Sequence, residues 1–371
     1  MELDFTPEQD ELRDAIRAVL AKECPVSVAR QVLEQGTVPG SLWRTFAELG
    51  WPGLTVPEAH GGIGLGMVEA AVLAEELGRV VAPGPLLPTV TQFVPVLREC
   101  GTPDQQARWL PEVAAGRCTG TLAIAEDTGS FDPADTTATF RLDGDDVVCA
   151  GHKRYVMEAG AVDEIAVVAR GPEGLGVVVV PADATRRTEL HTFDGSRRMA
   201  HVGLDGVRVG RERLLGGGTG DATAAVRRAA EEATVALALE MVGTAQSIFD
   251  VTLDYAKQRV QFGVPIGSFQ AVKHKFADML VALERARATG YFAALTIAED
   301  DPRRTSATSV AKAAAGDCQR LLAKEGIQLH GGIGYTWEHD MHVYVKRVKS
   351  GEPLFGTSAW HRARIAEALG V

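Results

Sequence analysis

The chain has 371 residues, of which 46% are hydrophobic and 23% charged, enough for two or three domains of ordinary soluble composition. The formal net charge of −11 argues against a general nucleic-acid binder, which needs a basic surface to neutralise phosphates. A small anionic ligand is not excluded, because a local basic patch can oppose the overall charge.

The cysteine pattern and the N-terminal region bear on the compartment. Five cysteines are scattered without a CxxC pair, which is typical of reduced thiols and not of disulfides or a zinc site. The N-terminal residues lack the apolar core of a signal peptide, and no apolar run approaches the roughly 18 residues of a membrane span. We therefore expect a cytoplasmic protein with no membrane span.

Hydrophobic periodicity divides the chain into three domains and predicts an α+β fold. Residues 1–118 have a helical pattern, which opens on a capping box formed by Thr6 and Gln9. Residues 119–217 contain short β-branched runs split by Gly, Pro and Asp, which favour an antiparallel β domain. Residues 218–371 are helical again and predict a four-helix bundle, with helices near 268–299, 303–329 and 338–349 after a long first helix.

Two stretches of the third domain suit a nucleotide. In "QRVQFGVPIGSFQAVKH", Arg259, Phe262 and Gln270 surround a Gly/Pro loop; a guanidinium suits a diphosphate, an aromatic face an adenine ring, and an amide a ribose or base. In "QLHGGIGYTWEHD", a glycine-rich turn follows a helix and lets the backbone approach phosphate; its glycines are Gly331, Gly332 and Gly334. Each stretch alone is weak, because a glycine-rich helix end is usually only a cap.

Together and in this order, the motifs resemble the acyl-CoA dehydrogenase family across essentially the whole chain. The most specific are "RVQFG", "GSFQAVKHKFADM" and "QLHGGIGYTWE". The resemblance implies bound FAD, a tetramer, an acyl-CoA substrate and an electron-transfer flavoprotein as electron acceptor. The resemblance also implies that a neighbouring subunit holds the adenine end of FAD, and the residues for that role are intact: Arg259, Phe262, Gln270, Gln328 and the glycine turn. Thr357, a further cofactor-binding position of the family, also remains.

The catalytic base that the resemblance implies is missing. The most frequent position, a glutamate before the terminal Gly-Thr, is Phe355, and an alternative position on the long helix is Ala233. Glu240 lies seven residues beyond Ala233, on the same helix face, and is either a relocated base or a buried carboxylate satisfied by arginine or backbone donors. Glu232 is a weaker candidate, because it points in another direction.

The flavin-ring side also departs from the family pattern. Hydroxyls expected beside the ring are absent at Ala125 and Met157, and Tyr155 stands where the family often has tryptophan. Ser130 resembles a family position near the CoA pyrophosphate, although an ordinary turn serine is an equal reading. The spacing of the histidines matches no metal-ligand motif, so no metal is expected.

Three functions remain open. The first is an FAD-dependent homotetrameric acyl-CoA dehydrogenase with Glu240 as base, in fatty acid or steroid degradation. The second is a non-catalytic partner subunit of a heterotetramer, which supplies the adenine-side half of the FAD site. The third keeps the flavin but changes the chemistry, for example to an oxidase. The sequence does not name the acyl group, although Ala230 and Ala233 leave room for a bulky one.

Overall fold

The computed structural model describes residues 4–218 and 220–371. The predicted capping box forms at the first helix, where the side chains of Thr6 and Gln9 each accept the other's backbone N–H. A π-helical turn, Thr89–Phe93, joins the fifth and sixth helices. The helices of this first part are α1 (Pro7–Glu23), α2 (Val26–Gln35), α3 (Gly40–Glu48), α4 (Met67–Arg79), α5 (Leu86–Pro88), α6 (Val94–Cys100) and α7 (Pro103–Ala114).

The middle part is a β domain with its own apolar core, formed by inward-facing side chains such as Val147, Val167 and Val180. The strands are β1 (Gly120–Ala123), β2 (Thr139–Asp143), β3 (Asp146–Ala150), β4 (His152–Met157), β5 (Glu164–Gly171), β6 (Gly174–Pro181), β7 (Arg186–Glu189), β8 (Met199–Gly203) and β9 (Arg208–Gly210).

Two sheets result, and the larger one differs from the prediction. Its order is β1-β5-β2-β3-β9 with β6 paired to β5, while the smaller sheet has the order β4-β8-β7. Most pairs are antiparallel, but β1 runs parallel to β5, with Gly120 opposite Glu164. The predicted antiparallel β domain holds for most pairs, and the parallel pairing of β1 with β5, and of β2 with β5 at Thr139 and Arg170, was not predicted. Three strands intervene between β1 and β5, and such a long connection permits parallel pairing.

The third part is helical, and its helices fall close to the predicted ranges. Helix α11 contacts α8 and α10, and α12 packs against α10. The predicted combination of helical, β and helical domains is confirmed. The elements are α8 (Thr223–Gln258), the short strands β10 (Val260–Gln261) and β11 (Val264–Pro265), α9 (Gln270–Ala298), α10 (Arg304–His330), α11 (Met341–Gly351) and α12 (Ser358–Ala368).

Helix α8 is the central element of the molecule. It packs against α4, α6, α9, α10 and α11, and it is buried on all sides from Glu232 to Ala245. Gly78 of α4 makes one of these contacts possible, because a Cβ there would lie 2.0 Å from the backbone oxygen of Glu240. In length and composition α8 is also the one helix among residues 4–218 and 220–371 that matches a membrane span, but most of that apolar stretch is buried inside the protein.

Candidate functional site

A cavity of ≈ 550 Å³ lies at the N-terminal ends of α8 and α10, beside the loop after β1 and the start of α12. Phe355 is buried and forms part of the cavity wall. The centroid of its ring lies 4.9 Å from the centroid of the Phe131 ring. The cavity is lined by Phe131, Asp132, Pro133, Ala224, Arg227, Arg228, Ala230, Glu231, Thr234, Asp300, Asp301, Pro302, Arg304, Thr305, Thr308, Ser309, Phe355, Trp360, His361 and Arg364.

Every carboxylate that lines this cavity is paired with arginine. The pairs are Asp132 with Arg227 at 3.1 Å and Arg364 at 3.3 Å, Glu231 with Arg304 at 2.7 Å, Asp300 with Arg228 at 2.7 Å, and Asp301 with Arg303 at 2.6 Å. A general base needs a carboxylate whose charge is poorly satisfied, so that its pKa rises towards the working pH. None of these four carboxylates is in that situation.

Glu240 is fully buried outside this cavity, between two arginines. Its Oε1 lies 2.7 Å from Nη1 of Arg347, and its Oε2 accepts a hydrogen bond from Arg197. Burial raises the pKa of Glu240, but the two guanidinium groups outweigh it and leave the pKa below its ordinary value. This geometry does not suit the proposed relocated base and matches the other reading, a buried carboxylate satisfied by arginine.

The remaining candidates for base and substrate contact also have structural partners. The carboxylate of Glu232, the weaker base candidate, lies 2.5 Å from Arg98 and does not line the cavity. The Ser130 hydroxyl donates to Asp135 at 2.6 Å, within a turn after β1. Its neighbour Phe131 faces the cavity instead.

The adenine-side residues lie at the opposite end of the same helices. Arg259 ends α8, the side chain of Phe262 is 92% exposed at φ 56°, and Gln270 begins α9. Within residues 4–218 and 220–371, Arg259 pairs with no carboxylate, so its guanidinium is available to a ligand.

The glycine turn lies next to this loop. The ring of Tyr255, in the last turn of α8, stacks on that of His330 at 4.4 Å and so joins the ends of α8 and α10. Gln328 is exposed on the last turn of α10. Gly331 has φ 65°, and Gly331 and Gly332 border open space. These exposed groups fit the phosphates and adenine of FAD.

The cavity and the residues expected at the adenine lie far apart on this chain. The cavity lies at the start of α10, at Arg304, and the glycine turn follows its end at His330. At about 1.5 Å per residue, the two are roughly 40 Å apart. Thr357, which the resemblance places at the flavin, is at the cavity end and accepts the backbone N–H of Trp360 at 3.1 Å. The cavity and the glycine turn are therefore two separate regions of the chain.

The other flavin-ring residues offer few donors. Ala125 is buried and its carbonyl accepts the backbone N–H of Arg154 at 2.8 Å. The sulfur of Met157 accepts from Gln92 at 3.1 Å. Tyr155 is partly exposed, with φ 56°, at an irregularity in β4. The side of the site that would meet the ring of the chain's own flavin is thus poorer in polar side chains than the adenine side.

Sequence reasoning missed the arginine partners and the aromatic wall of the cavity. Arg304 and Glu231 are 73 residues apart in sequence, and no local pattern links Phe131 to Phe355. Among the described residues, no group of three or more His, Cys, Asp or Glu side chains could hold a metal ion.

Comparison with known proteins places these observations in a family. Residues 6–117 match the N-terminal domain and residues 221–370 the C-terminal domain of acyl-CoA dehydrogenases. The acyl-CoA dehydrogenase IpdE2 of Mycobacterium tuberculosis is 33% identical over 94% of this chain and 92% of its own length.

Solved structures are also similar. The ChsE4-ChsE5 complex of Mycobacterium tuberculosis has a chain that is 25% identical, with a TM-score of 0.91 over 100% of this chain and 99% of that one. A variant of the Tcur3481-Tcur3483 steroid ACAD is 31% identical, with a TM-score of 0.86 over 98% of each chain.

Proposed function

Because the chain belongs to the acyl-CoA dehydrogenase family, we propose that it is a partner subunit of a heteromeric acyl-CoA dehydrogenase. It completes the adenine side of the FAD site of a related chain and has no catalytic base of its own. The observation that carries this proposal is the pairing of every cavity carboxylate with arginine beside Phe355. A buried phenyl ring cannot accept a proton, and a paired carboxylate is a poor base.

In this assembly the bound FAD would supply the hydride acceptor for oxidation of the acyl thioester, and an electron-transfer flavoprotein would be the electron acceptor. The related chain supplies the base and the flavin-ring contacts. Arg259 of this chain would neutralise the diphosphate and Phe262 would pack on the adenine, since both residues are exposed at the end of the bundle. The backbone of the Gly331–Gly334 turn, with open space at Gly331 and Gly332, would also be available to the phosphates.

Exposed apolar side chains at the same end support contact with a neighbouring subunit. Phe262, Tyr335 and Trp337 are 92%, 75% and 61% exposed, and large apolar side chains clustered at one surface mark an interaction site. A structural relative described as a complex of two differently named chains, ChsE4 and ChsE5, supports a heteromeric rather than a homomeric assembly. The likeness to a steroid ACAD supports a bulky acyl group on the thioester.

The test compares this chain alone with the chain co-expressed with a relative that has glutamate where this chain has Phe355. We expect the isolated chain to purify with little flavin, and the mixed assembly to bind FAD and to be bleached by an acyl-CoA without air. The variant Arg259→Ala should lower the flavin content of the assembly, whereas Glu231→Gln should leave it unchanged. One flavin per isolated chain, reduced by an acyl-CoA, would overturn the proposal.

A second candidate is an active dehydrogenase that uses Glu231 as base. Glu231 lines the same cavity as Phe355 and precedes by two residues the alternative base position at Ala233. Its pairing with Arg304 at 2.7 Å and with the Thr305 hydroxyl at 2.6 Å argues against this role. If the isolated chain turned over a thioester and Glu231→Gln abolished the reaction while flavin stayed bound, this candidate would replace the first.

A further inference from the structure

The turn between α11 and α12 has an uncommon backbone. Phe355 has φ 54° and Gly356 has φ 98°. A bulky aromatic residue rarely adopts a positive φ, and such a conformation persists only when the surrounding structure imposes it. The contacts of residues 352–357 identify what imposes it here.

Lys312, in the first half of α10, is one of these contacts. Its side chain is completely buried, and its Nζ donates to the backbone oxygens of Glu352 at 2.9 Å and Gly356 at 2.8 Å. The two carbonyls stand at the two ends of the turn, so a single amine joins them. In the described part of the chain, Lys312 forms no ion pair with a carboxylate.

His361 of α12 supplies the next contact. Its Nε2 lies 2.9 Å from the backbone oxygen of Phe355, and its Nδ1 lies 3.2 Å from the hydroxyl of Ser309. Burial lowers the pKa of His361 to about 3, so the ring is neutral at ordinary pH. Because the carbonyl can only accept, the proton is on Nε2 and the Ser309 hydroxyl donates to Nδ1.

The geometry points to Lys312 as a positioning residue, which acts with His361 to fix the turn 352–357 and so to place the side chain of residue 355 in the cavity wall. Lys312 itself does not line the cavity. The inference does not depend on whether the chain is a partner subunit or an active enzyme, because it concerns the position of residue 355 and not its chemistry.

Because Lys312 can gain or lose a proton, its role in positioning the turn should depend on pH in a measurable way. Burial lowers the pKa of Lys312 to about 7; the charge of Glu352 opposes this shift and the charge of Arg197 adds to it. Lys312 in turn helps to lower the pKa of His361. A neutral amine still has two N–H groups for the two carbonyls, whereas an ammonium has a third that must find a partner. The hydrogen bonds from Lys312 to the turn therefore persist in both its neutral and its charged form, and only the charge beside the turn changes between them.

Trp360 can report on the turn. It lines the cavity, and a Cβ at Gly356 would lie 2.6 Å from its Cε3, so the indole packs directly on the turn. The chain has five tryptophans, so a fluorotryptophan-labelled protein gives few fluorine resonances, and Trp360→Phe assigns the one needed. We expect the Trp360 resonance of the full chain to shift with pH, with a midpoint near the pKa of Lys312.

Three variants test the assignment. Lys312→Met removes the donors and the charge, and should broaden or displace the Trp360 resonance and abolish its pH dependence. Lys312→Gln keeps an N–H donor pair on a shorter side chain, and should bring the resonance back towards wild type, also without the pH dependence. Lys153→Met is the matched control, because Lys153 is equally buried but donates to Ile124 and Glu126 in the β domain, and it should leave the Trp360 signal unchanged.

Circular dichroism establishes that each variant is folded before the resonance is compared. If Lys312→Met does not fold, Ser309→Ala removes the donor to His361 and should displace the same resonance while the Lys312 pH midpoint remains. A Trp360 resonance in Lys312→Met with the wild-type position and the wild-type pH midpoint would overturn the inference. So would a response of equal size in Lys153→Met.

Discussion

Glu240 on α8 and Arg347 on α11 form an ion pair, in which Oε1 of Glu240 lies 2.7 Å from Nη1 of Arg347. Their side chains are only 2% and 3% exposed. Arg347 also contacts Asp194 at 2.7 Å through Nε and the hydroxyl of Ser196 at 2.9 Å. This network joins α8 and α11 to the loop before β8 and so connects the helical bundle to the β domain. Both buried carboxylates, Asp194 and Glu240, are paired with arginine, although Nε and Nη1 of Arg197 find no hydrogen-bond partner among the described residues. This pairing suits a structural role.

The variant Glu240→Gln should therefore lower stability. It leaves two buried guanidinium groups without their shared counter-charge, a change that costs about 3–5 kcal/mol in the free energy of unfolding. Urea unfolding followed by circular dichroism measures it. Glu112→Gln breaks the exposed pair with Arg117 and should change stability by less than about 1 kcal/mol. Equal, small effects of both variants would contradict the structural role of Glu240.

Acid should weaken the same network. Burial raises the pKa of both Asp194 and Glu240, but the arginines outweigh burial and leave both values lowered. Stability from a lowered carboxylate pKa is fully present above the unfolded-state value, about 4, and is lost as the pH falls through the folded-state value. The free energy of unfolding should fall with pH below about 4, less steeply in Glu240→Gln. Identical slopes would show that folding does not lower the pKa of Glu240.

The contact between α4 and α8 tolerates no side chain at Gly78. A Cβ there would lie 2.0 Å from the backbone oxygen of Glu240, so Gly78→Ala must push the helices apart and should cost at least about 1–3 kcal/mol. Gly40→Ala, where no atom lies within 4 Å, should be neutral or slightly stabilising, since alanine favours helix. Thermal unfolding compares the two, and an unchanged Tm in Gly78→Ala would refute the close approach.

Phe262 should matter for assembly and not for the stability of the isolated chain. Its side chain is 92% exposed at a positive φ, so Phe262→Gly removes little packing and relieves strain. We expect stability within about 1 kcal/mol of wild type and a clear loss of flavin from the co-expressed assembly. Phe46→Ala, at a buried aromatic residue, should instead cost about 3–5 kcal/mol. Flavin retained in Phe262→Gly would exclude an adenine contact.

The sequence predicts those parts of the fold that depend on local patterns. The capping box at Thr6, the range of each long helix and the loop that exposes Phe262 all follow from short stretches. The parallel pairing of β1 with β5 does not, because it depends on a connection of about 40 residues and not on either strand.

The role of Glu240 could not be predicted from local sequence patterns either. The sequence pattern places Glu240 on the same apolar face of the helix as Ala233. Because α8 is buried on all sides there, the position of a residue on one face does not show whether its side chain points to the cavity. The partners that decide the role of Glu240, Arg197 and Arg347, are 43 and 107 residues away in sequence. Only the tertiary fold brings them together, whereas the hypothesis that Phe355 stands at the usual position of the base needs the sequence alone.

The proposed assignment of the cavity and the nucleotide loop to two different FAD sites has a genetic consequence. Because the cavity and the nucleotide loop stand at opposite ends of α8 and α10, damage at one end leaves the other end usable by a neighbour. Two chains that are each inactive, one damaged at each end, can then restore one working centre when mixed. After a gene duplication, one copy can therefore lose the function of the cavity and the other copy the function of the nucleotide loop. The pair then keeps one working centre for every two chains.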